Sequence, residues 1–217
     1  MTRRMTYPGA VIGIQARGLA GKDPVHTTVE AMAAEYLREV KARQPDGPYN
    51  LCGYSFGGLV AFEMARRLRE SGDEVALVGL FDTMMSPLRW PLHSWLSIVR
   101  GRVMRFAADG IETPLRTRSA KPIRVLKVEA AALIASARYR PGFYPGALTL
   151  FTPVEREPGL PSIQAIWREH AGALSMVEMA GDHWTMFSAT NAFSASASLT
   201  HCLLAGPGTG NTASDGQ

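Results

Sequence analysis

A serine stands between two glycines at the point where an apolar run meets a helical pattern. The motif Gly53-Tyr54-Ser55-Phe56-Gly57 matches G-x-S-x-G, and a predicted strand precedes it while a predicted helix follows. This context favours a serine nucleophile on a sharp turn, and the glycines are expected to avoid clashes with the strand and helix. The backbone N–H of Phe56 would then donate to a developing oxyanion. The alternative interpretation is a glycine-rich turn with a capping serine.

A serine hydroxyl is a weak nucleophile and needs a base nearby. Histidine is the usual choice, and His183 in "MAGDHWTMF" follows a predicted strand, at the sheet edge where α/β sites gather. It also lies after the serine in the chain, as the order Ser, acid, His requires. The other histidines lie before a helix, in a predicted insertion or within predicted helices: His26, His93, His170 and His201. The sequence therefore favours His183 as the base.

Two acidic residues are candidates for orienting this histidine. Asp82 ends "ALVGLFDT", the predicted strand directly after the nucleophile helix, whereas Glu155 follows "GALTLFTP", one strand later. Asp82 is favoured because it is flush with the strand end, while Glu155 lies among charges and prolines. Asp182 adjoins His183, so its side chain would point badly for this role, and it is expected to shape the turn.

Short apolar strands alternate with amphipathic helices along the chain. The predicted strands are "AVIGIQARG" from Ala10, "GPYNLCGYS", "EVALVGLFDT", "GALTLFTP" and "LSMVEMAG". The predicted helices are "HTTVEAMAAEYLREVKARQ" with a Thr27/Glu30 capping box, "GGLVAFEMARRLRESG" ending at Gly72, "PSIQAIWREHAG" and Trp184–Leu204. This alternation predicts an α/β domain over residues 1–205, with a parallel sheet covered on both faces.

One long insertion interrupts the alternation. Residues 86–138 are too many for an ordinary connection, so they are interpreted as a lid, with helices near Ser94–Ala107 and Ile123–Ser136. The stretch Ser86–Arg140 holds 11 basic residues and three acidic ones, which favours an anionic partner. The alternative is an ordinary solvated surface. Residues 206–217 are predicted to be a flexible tail.

Composition restricts the class of protein. The 217 residues are 46% hydrophobic and 19% charged, which is ordinary for one globular domain. Two cysteines, Cys52 and Cys202, are too few for a disulfide framework or a metal-binding pattern. The sequence lacks a signal peptide, an apolar run that could span a membrane and a nucleic-acid motif. A cytoplasmic protein without a nucleic-acid partner is therefore expected.

These motifs together resemble the thioesterase domains of non-ribosomal peptide and polyketide synthetases and the related stand-alone thioesterases. The matching segments are "GIQARG", "VEAMAAEYLREVKARQPDGPYNLCGYSFGGLVAFEMARRL", "LFDT", "YRPGFYPGALTLFTP" and "GDHWTMF". The resemblance implies an α/β-hydrolase fold with a helical lid and a catalytic triad of Ser55, Asp82 and His183, since the family's acid occupies the "DT" position.

The same resemblance implies a reaction and a partner. The substrate would be an acyl chain on the phosphopantetheine thiol of an acyl or peptidyl carrier protein, released by hydrolysis or cyclisation without a cofactor of the enzyme. We expect Arg100, Arg102 and Arg105 of the insertion to suit the phosphate or an acidic carrier surface. Trp90, Trp95 and Phe106 would line an acyl channel or pack within the lid. The alternatives are a carboxylester hydrolase of the same fold and a truncated, inactive remnant.

The sequence departs from this family at its amino-terminal end. Family members have three more strands, and the third lies between the strands matching "AVIGIQA" and "YNLCGYS" and leads into a loop that donates a second oxyanion N–H. Without it, both segments are expected to lack a partner. Three explanations are open. The start is misassigned or the chain is a fragment of a larger synthetase; a rearranged strand pairing or a partner replaces the missing strands; or the chain is a decayed remnant that folds poorly.

Overall fold

The structure is a computed structural model that describes residues 5–20, 23–86, 122–156 and 158–205. The predicted helix near Ser94–Ala107, the lid residues Trp90, Trp95 and Phe106, the arginines at 100, 102 and 105, and the tail at 206–217 lie outside these ranges.

The described elements follow the predicted alternation of strands and helices. The strands are β1 (Tyr49–Tyr54), β2 (Val75–Phe81), β3 (Tyr144–Pro153) and β4 (Ala171–Met179). The helices are α1 (Val29–Arg43), α2 (Phe56–Glu70), α3 (Ile123–Arg138), the short α4 (Ile163–Trp167) with a 3₁₀ turn at Arg168–His170, and α5 (Ala192–Ala205).

The four strands form one sheet in the order β1-β2-β3-β4, and every pair is parallel. The parallel sheet expected from the sequence is thereby confirmed. Tyr54 is level with Phe81, and Phe81 is level with Phe151. The carboxyl ends of β1 and β2 therefore meet at one sheet edge, so residues that follow these strands are neighbours.

Helices cover both faces of this sheet, as the apolar strands require. On one face, a core that includes Leu51, Val78 and Leu80 packs against residues of α1 and α2. On the other face, Leu77 and Phe81 pack with residues of α5. Neighbouring residues of β2 thus point into opposite cores, which explains why the strand is an unbroken apolar run.

Two predicted helix starts differ from the structure, one by a single residue and the other by eight. The cap of α1 is Thr28, whose hydroxyl accepts from the N–H of Ala31, rather than Thr27. The terminal helix begins at Ala192 instead of Trp184, and the first residues of the predicted helix, Trp184 and Thr185, bond to the Asp182 carboxylate in a tight turn. Gly72 follows the end of α2 with a φ of +84°, as expected for a glycine stop.

The predicted strand from Ala10 is wrong, because residues 10–16 form no strand. Val11, Ile12 and Ile14 are 49%, 64% and 45% exposed, and a cavity of about 480 Å³ is lined both by this segment and by β1. A strand needs a neighbour for its N–H and C=O groups, and the described residues place none beside this segment. They also pair β1 with β2 alone.

Candidate active site

Ser55 occupies the single position between the end of β1 and the start of α2. Its φ of 53° and ψ of −125° lie in a region that residues with side chains rarely adopt. Two backbone hydrogen bonds hold Ser55 there. Its N–H donates to the carbonyl of Phe81 at 2.8 Å, and its carbonyl accepts from the N–H of Gly58 at 3.0 Å. A strained, doubly tethered residue at the sheet edge matches the sharp turn expected for a nucleophile.

The glycines around Ser55 have unequal importance. A Cβ on Gly53 would lie 2.2 Å from the Gly57 carbonyl oxygen, so the expectation that Gly53 avoids a clash is confirmed. The same expectation for Gly57 is wrong, because a Cβ there meets no described atom within 4 Å apart from its chain neighbours and the nearby backbone of its own helix. Gly58 takes that role instead, since its Cβ would lie 1.9 Å from the hydroxyl oxygen of Thr83. Gly58 therefore lets α2 approach the end of β2.

Asp82 follows β2 and lies against the candidate base. Its φ is 39°, and its N–H donates to the carbonyl of Phe151 at 2.8 Å, which ties it to β3. Its carboxylate Oδ2 lies 2.6 Å from Nδ1 of His183. The carboxylate is 9% exposed and the imidazole 28% exposed, so water competes weakly for this contact.

His183 lies in a turn that Asp182 organises. One carboxylate oxygen of Asp182 accepts from the N–H of Trp184 and from the N–H and hydroxyl of Thr185, at 2.9, 2.8 and 2.7 Å. The Thr185 hydroxyl, followed by these N–H groups, holds the pKa of Asp182 below its ordinary value. Asp182 therefore shapes the turn, as expected, while its neighbour His183 faces Asp82.

The remaining candidates lie elsewhere. Glu155 is exposed, and its backbone N–H donates to Gly181 at 3.0 Å, but its carboxylate forms no bond with His183 in the described residues. His26 pairs with Glu35 at 3.1 Å. His170 is in the 3₁₀ turn and His201 is exposed on α5, whereas His93 lies outside the described residues.

Tyr54 is a site residue that the sequence analysis did not single out. Its hydroxyl donates to the backbone carbonyl of His183, and its ring stacks on the imidazole at 4.9 Å with an interplanar angle of 26°. Phe187 meets the same tyrosine edge-on at 5.2 Å. The available signal was an aromatic residue directly before the serine of the motif.

Ser55, Asp82 and His183 all lie near the ends of strands in one sheet, and Phe56 adds a backbone donor beside Ser55. Phe56 is the first residue of α2, where helix geometry leaves the backbone N–H without an intrahelical acceptor. In the described residues the Ser55 hydroxyl makes no hydrogen bond to His183, and such catalytic bonds often close only with substrate bound.

No group of three metal-binding side chains occurs in the described part of the chain. Nor do its helices include one that is long and apolar enough to cross a membrane.

Comparison with known proteins points to one family. Residues 2–94 match the model of the thioesterase domain. The chain is 30% identical over 186 residues to malpibaldin synthetase of Mortierella alpina, and 39% identical over 114 residues to inactive atromentin synthetase invA6 of Paxillus involutus. These matches cover 81% and 50% of the chain but only 3% and 12% of the relatives. The chain thus corresponds to a small part of each synthetase.

A solved structure extends the comparison to the fold. The NocB thioesterase domain, in covalent complex with a fluorophosphonate nocardicin G analogue, is 25% identical with a TM-score of 0.60. The match covers 86% of this chain and 78% of that domain. The resemblance to synthetase thioesterase domains and the α/β-hydrolase class of the fold are thereby confirmed.

Proposed function

We propose that this chain, which is similar to the thioesterase domains of non-ribosomal peptide synthetases in sequence and in fold, cleaves acyl thioesters with Ser55 as the nucleophile. The observation that carries the proposal is the 2.6 Å contact between Asp82 and His183. Both residues lie at the sheet edge where Ser55 is held in its strained turn. This is the set of groups that activates a serine.

The contact of Nδ1 with Asp82 supports a separate role for each nitrogen of His183. Donation of the Nδ1–H to Asp82 leaves Nε2 as the acceptor for the Ser55 proton. The serine oxygen then attacks the thioester carbonyl, and the Phe56 N–H stabilises the oxyanion. The protonated Nε2 returns its proton to the departing thiolate. Water, or a nucleophile within the acyl chain, finally resolves the acyl-enzyme.

The proposed substrate is an acyl or peptidyl chain carried on the phosphopantetheine arm of a carrier protein. Support comes from the relatives, two of which are named as a nonribosomal peptide synthetase and a dimodular nonribosomal peptide synthase. The fold and the three residues do not determine the leaving group. Carboxylester hydrolysis is therefore the second candidate, and an inactive remnant is the third.

A fluorophosphonate probe and paired substrates test this proposal. The probe should label Ser55 in the wild type and leave Ser55→Ala unlabelled. Turnover should be faster for an acyl-N-acetylcysteamine thioester, which reproduces the thiol end of phosphopantetheine, than for the oxygen ester of the same acyl group. Faster oxygen-ester turnover would favour the carboxylesterase. A folded protein that neither labels nor turns over would identify the remnant.

A further inference from the structure

We infer that Tyr54 is a positioning residue that fixes the orientation of the His183 imidazole. The inference rests on the proposed function, in which His183 is the base. It goes further by naming a side chain that holds this base at the sheet edge where β1 ends.

Two separate contacts join Tyr54 to His183. The phenol hydroxyl donates to the backbone carbonyl of His183, so it fixes the position of the loop. The phenol ring lies along one face of the imidazole, so it restricts rotation of that ring. Asp82 holds only the Nδ1 corner of the imidazole. A single hydrogen bond at one corner leaves the imidazole able to rotate, and the contacts with Tyr54 restrict that rotation.

The sheet and a neighbouring aromatic ring hold Tyr54 in place. Tyr54 is the last residue of β1 and is paired with Phe81 of β2. Phe187 contacts both Tyr54 and Phe81, with ring centroids 5.2 Å away in each case. By contrast, Trp184 meets the imidazole edge-on at 4.9 Å but is 81% exposed. Tyr54 is 37% exposed and is held by β-sheet pairing and by Phe187, so it is the better anchored of these two aromatic neighbours of the imidazole.

The placement of Tyr54 also couples the base to the nucleophile. Tyr54 precedes Ser55 directly, and the Ser55 N–H donates to the carbonyl of Phe81. The register between β1 and β2 therefore sets the positions of Ser55 and of the Tyr54 ring at the same time. Tyr54 therefore joins the serine turn to a histidine that lies 129 positions later in the chain.

The tyrosine hydroxyl stays a donor under ordinary conditions. Burial, followed by the negative charges of Asp82 and Asp182, raises the pKa of Tyr54 above its usual value. The phenol is then protonated at neutral pH and can keep its bond to the His183 carbonyl. This agrees with a structural role for the hydroxyl in holding the loop.

Two variants separate the hydroxyl from the ring. Tyr54→Phe keeps the ring, and we expect the rate of fluorophosphonate labelling to fall roughly fivefold, as for one lost hydrogen bond. Tyr54→Leu removes both contacts, and we expect a fall of about 10²-fold, as for a misplaced catalytic group. The KM for the acyl-N-acetylcysteamine substrate should change little in both. Phe143→Leu is the matched control. Phe143 is exposed and directly precedes the first residue of β3, at the other end of the strands from the site.

A spectroscopic readout tests orientation without relying on activity. The proton between His183 Nδ1 and Asp82 should give a low-field ¹H NMR signal, assigned by its loss in His183→Ala. We expect this signal to exchange faster with solvent in Tyr54→Phe and to broaden further in Tyr54→Leu. An unchanged signal together with labelling within twofold of the wild type, in a variant with wild-type melting temperature, would overturn the inference.

The two proposals can fail separately. A wild type that labels at Ser55 but cleaves no thioester refutes the proposed function, while the labelling rates and the signal still decide the role of Tyr54. If Tyr54→Leu does not fold, Tyr54→Phe decides through solvent exchange of the low-field proton. An unchanged exchange rate in that variant would count against the inference.

Discussion

The carboxylate of Asp82 lies 2.6 Å from Nδ1 of His183, although 101 positions separate the two residues in the chain. Asp82 follows β2 and His183 follows β4, and β3 lies between these strands in the sheet. The contact therefore depends on a turn after β4 that reaches back across the sheet edge. Asp182 and Thr185 stabilise that turn.

This contact predicts different effects for the two acidic candidates. Asp82→Asn should lower turnover of an acyl-N-acetylcysteamine thioester by roughly 10⁴-fold, because the amide favours the wrong histidine tautomer. Glu155→Gln should remain close to the wild type, since this exposed carboxylate does not contact His183. Steady-state kinetics on both purified variants measures the difference. The opposite ranking would transfer the acid role to Glu155.

The glycines after the serine should respond unequally to alanine. Gly58→Ala should lower the free energy of unfolding by about 1 to 3 kcal/mol, because the new methyl group overlaps Thr83, which is fully buried. Gly57→Ala should change it by less than about 1 kcal/mol, since the methyl group has room and alanine favours the helix. Urea denaturation measures both. Equal destabilisation of the two variants would contradict the packing described at Gly58.

A buried ionic cluster links α2 to the end of α3. Glu63 is 1% exposed, and its carboxylate accepts from Arg66 at 2.9 Å, from Arg67 at 2.7 Å and from the Tyr139 hydroxyl at 3.0 Å. Burial by itself would raise the pKa of Glu63, but the hydrogen bonds from the two arginines, the charge of Arg66 and the Tyr139 bond outweigh it. The net pKa is lowered.

Glu63→Gln should therefore destabilise the protein by about 3 kcal/mol at neutral pH, because it removes the Glu63 charge that pairs with Arg67 and leaves Arg66, among the described residues, only its exposed ion pair with Glu70. The lowered pKa means that the contribution of Glu63 is complete above its ordinary value of 4.5 and is lost as the pH falls through the folded-state value. The variant and the wild type should thus converge in acid. Glu70→Gln is the control, since an exposed ion pair with Arg66 contributes little. A parallel offset at all pH values would contradict this prediction.

Tyr139 in the same cluster predicts an alkaline effect. Burial, and then the Glu63 carboxylate, raises the pKa of Tyr139 far above its ordinary value of 10.0. The folded state retains this proton, so the stabilising contribution is complete below pH 10 and decreases as the pH rises above it. Tyr139→Phe should lose less stability than the wild type between pH 9 and pH 11, roughly the interval around the ordinary value. Thermal melts across this range measure the slopes, and identical slopes would refute the prediction.

Local patterns predicted most of the described elements correctly. The helices α1 and α2 and all four strands were expected within a few residues, because apolar periodicity, caps and glycine stops act over short stretches of chain. The positions of Ser55 and His183 at the ends of strands were predicted for the same reason. The predicted strand from Ala10 failed, since a strand also depends on a neighbour that a local pattern does not reveal.

The sequence by itself determined the order of strands and helices, the G-x-S-x-G turn and a short set of candidate bases and acids. Only the tertiary structure decided that Asp82, not Glu155, contacts His183, that Gly58 rather than Gly57 admits Thr83, and that Tyr54 lies under the imidazole. The physical reason is distance along the chain. Such contacts depend on strand register and on turns that bring remote segments to one edge of the sheet, and neither is encoded in a local run of residues.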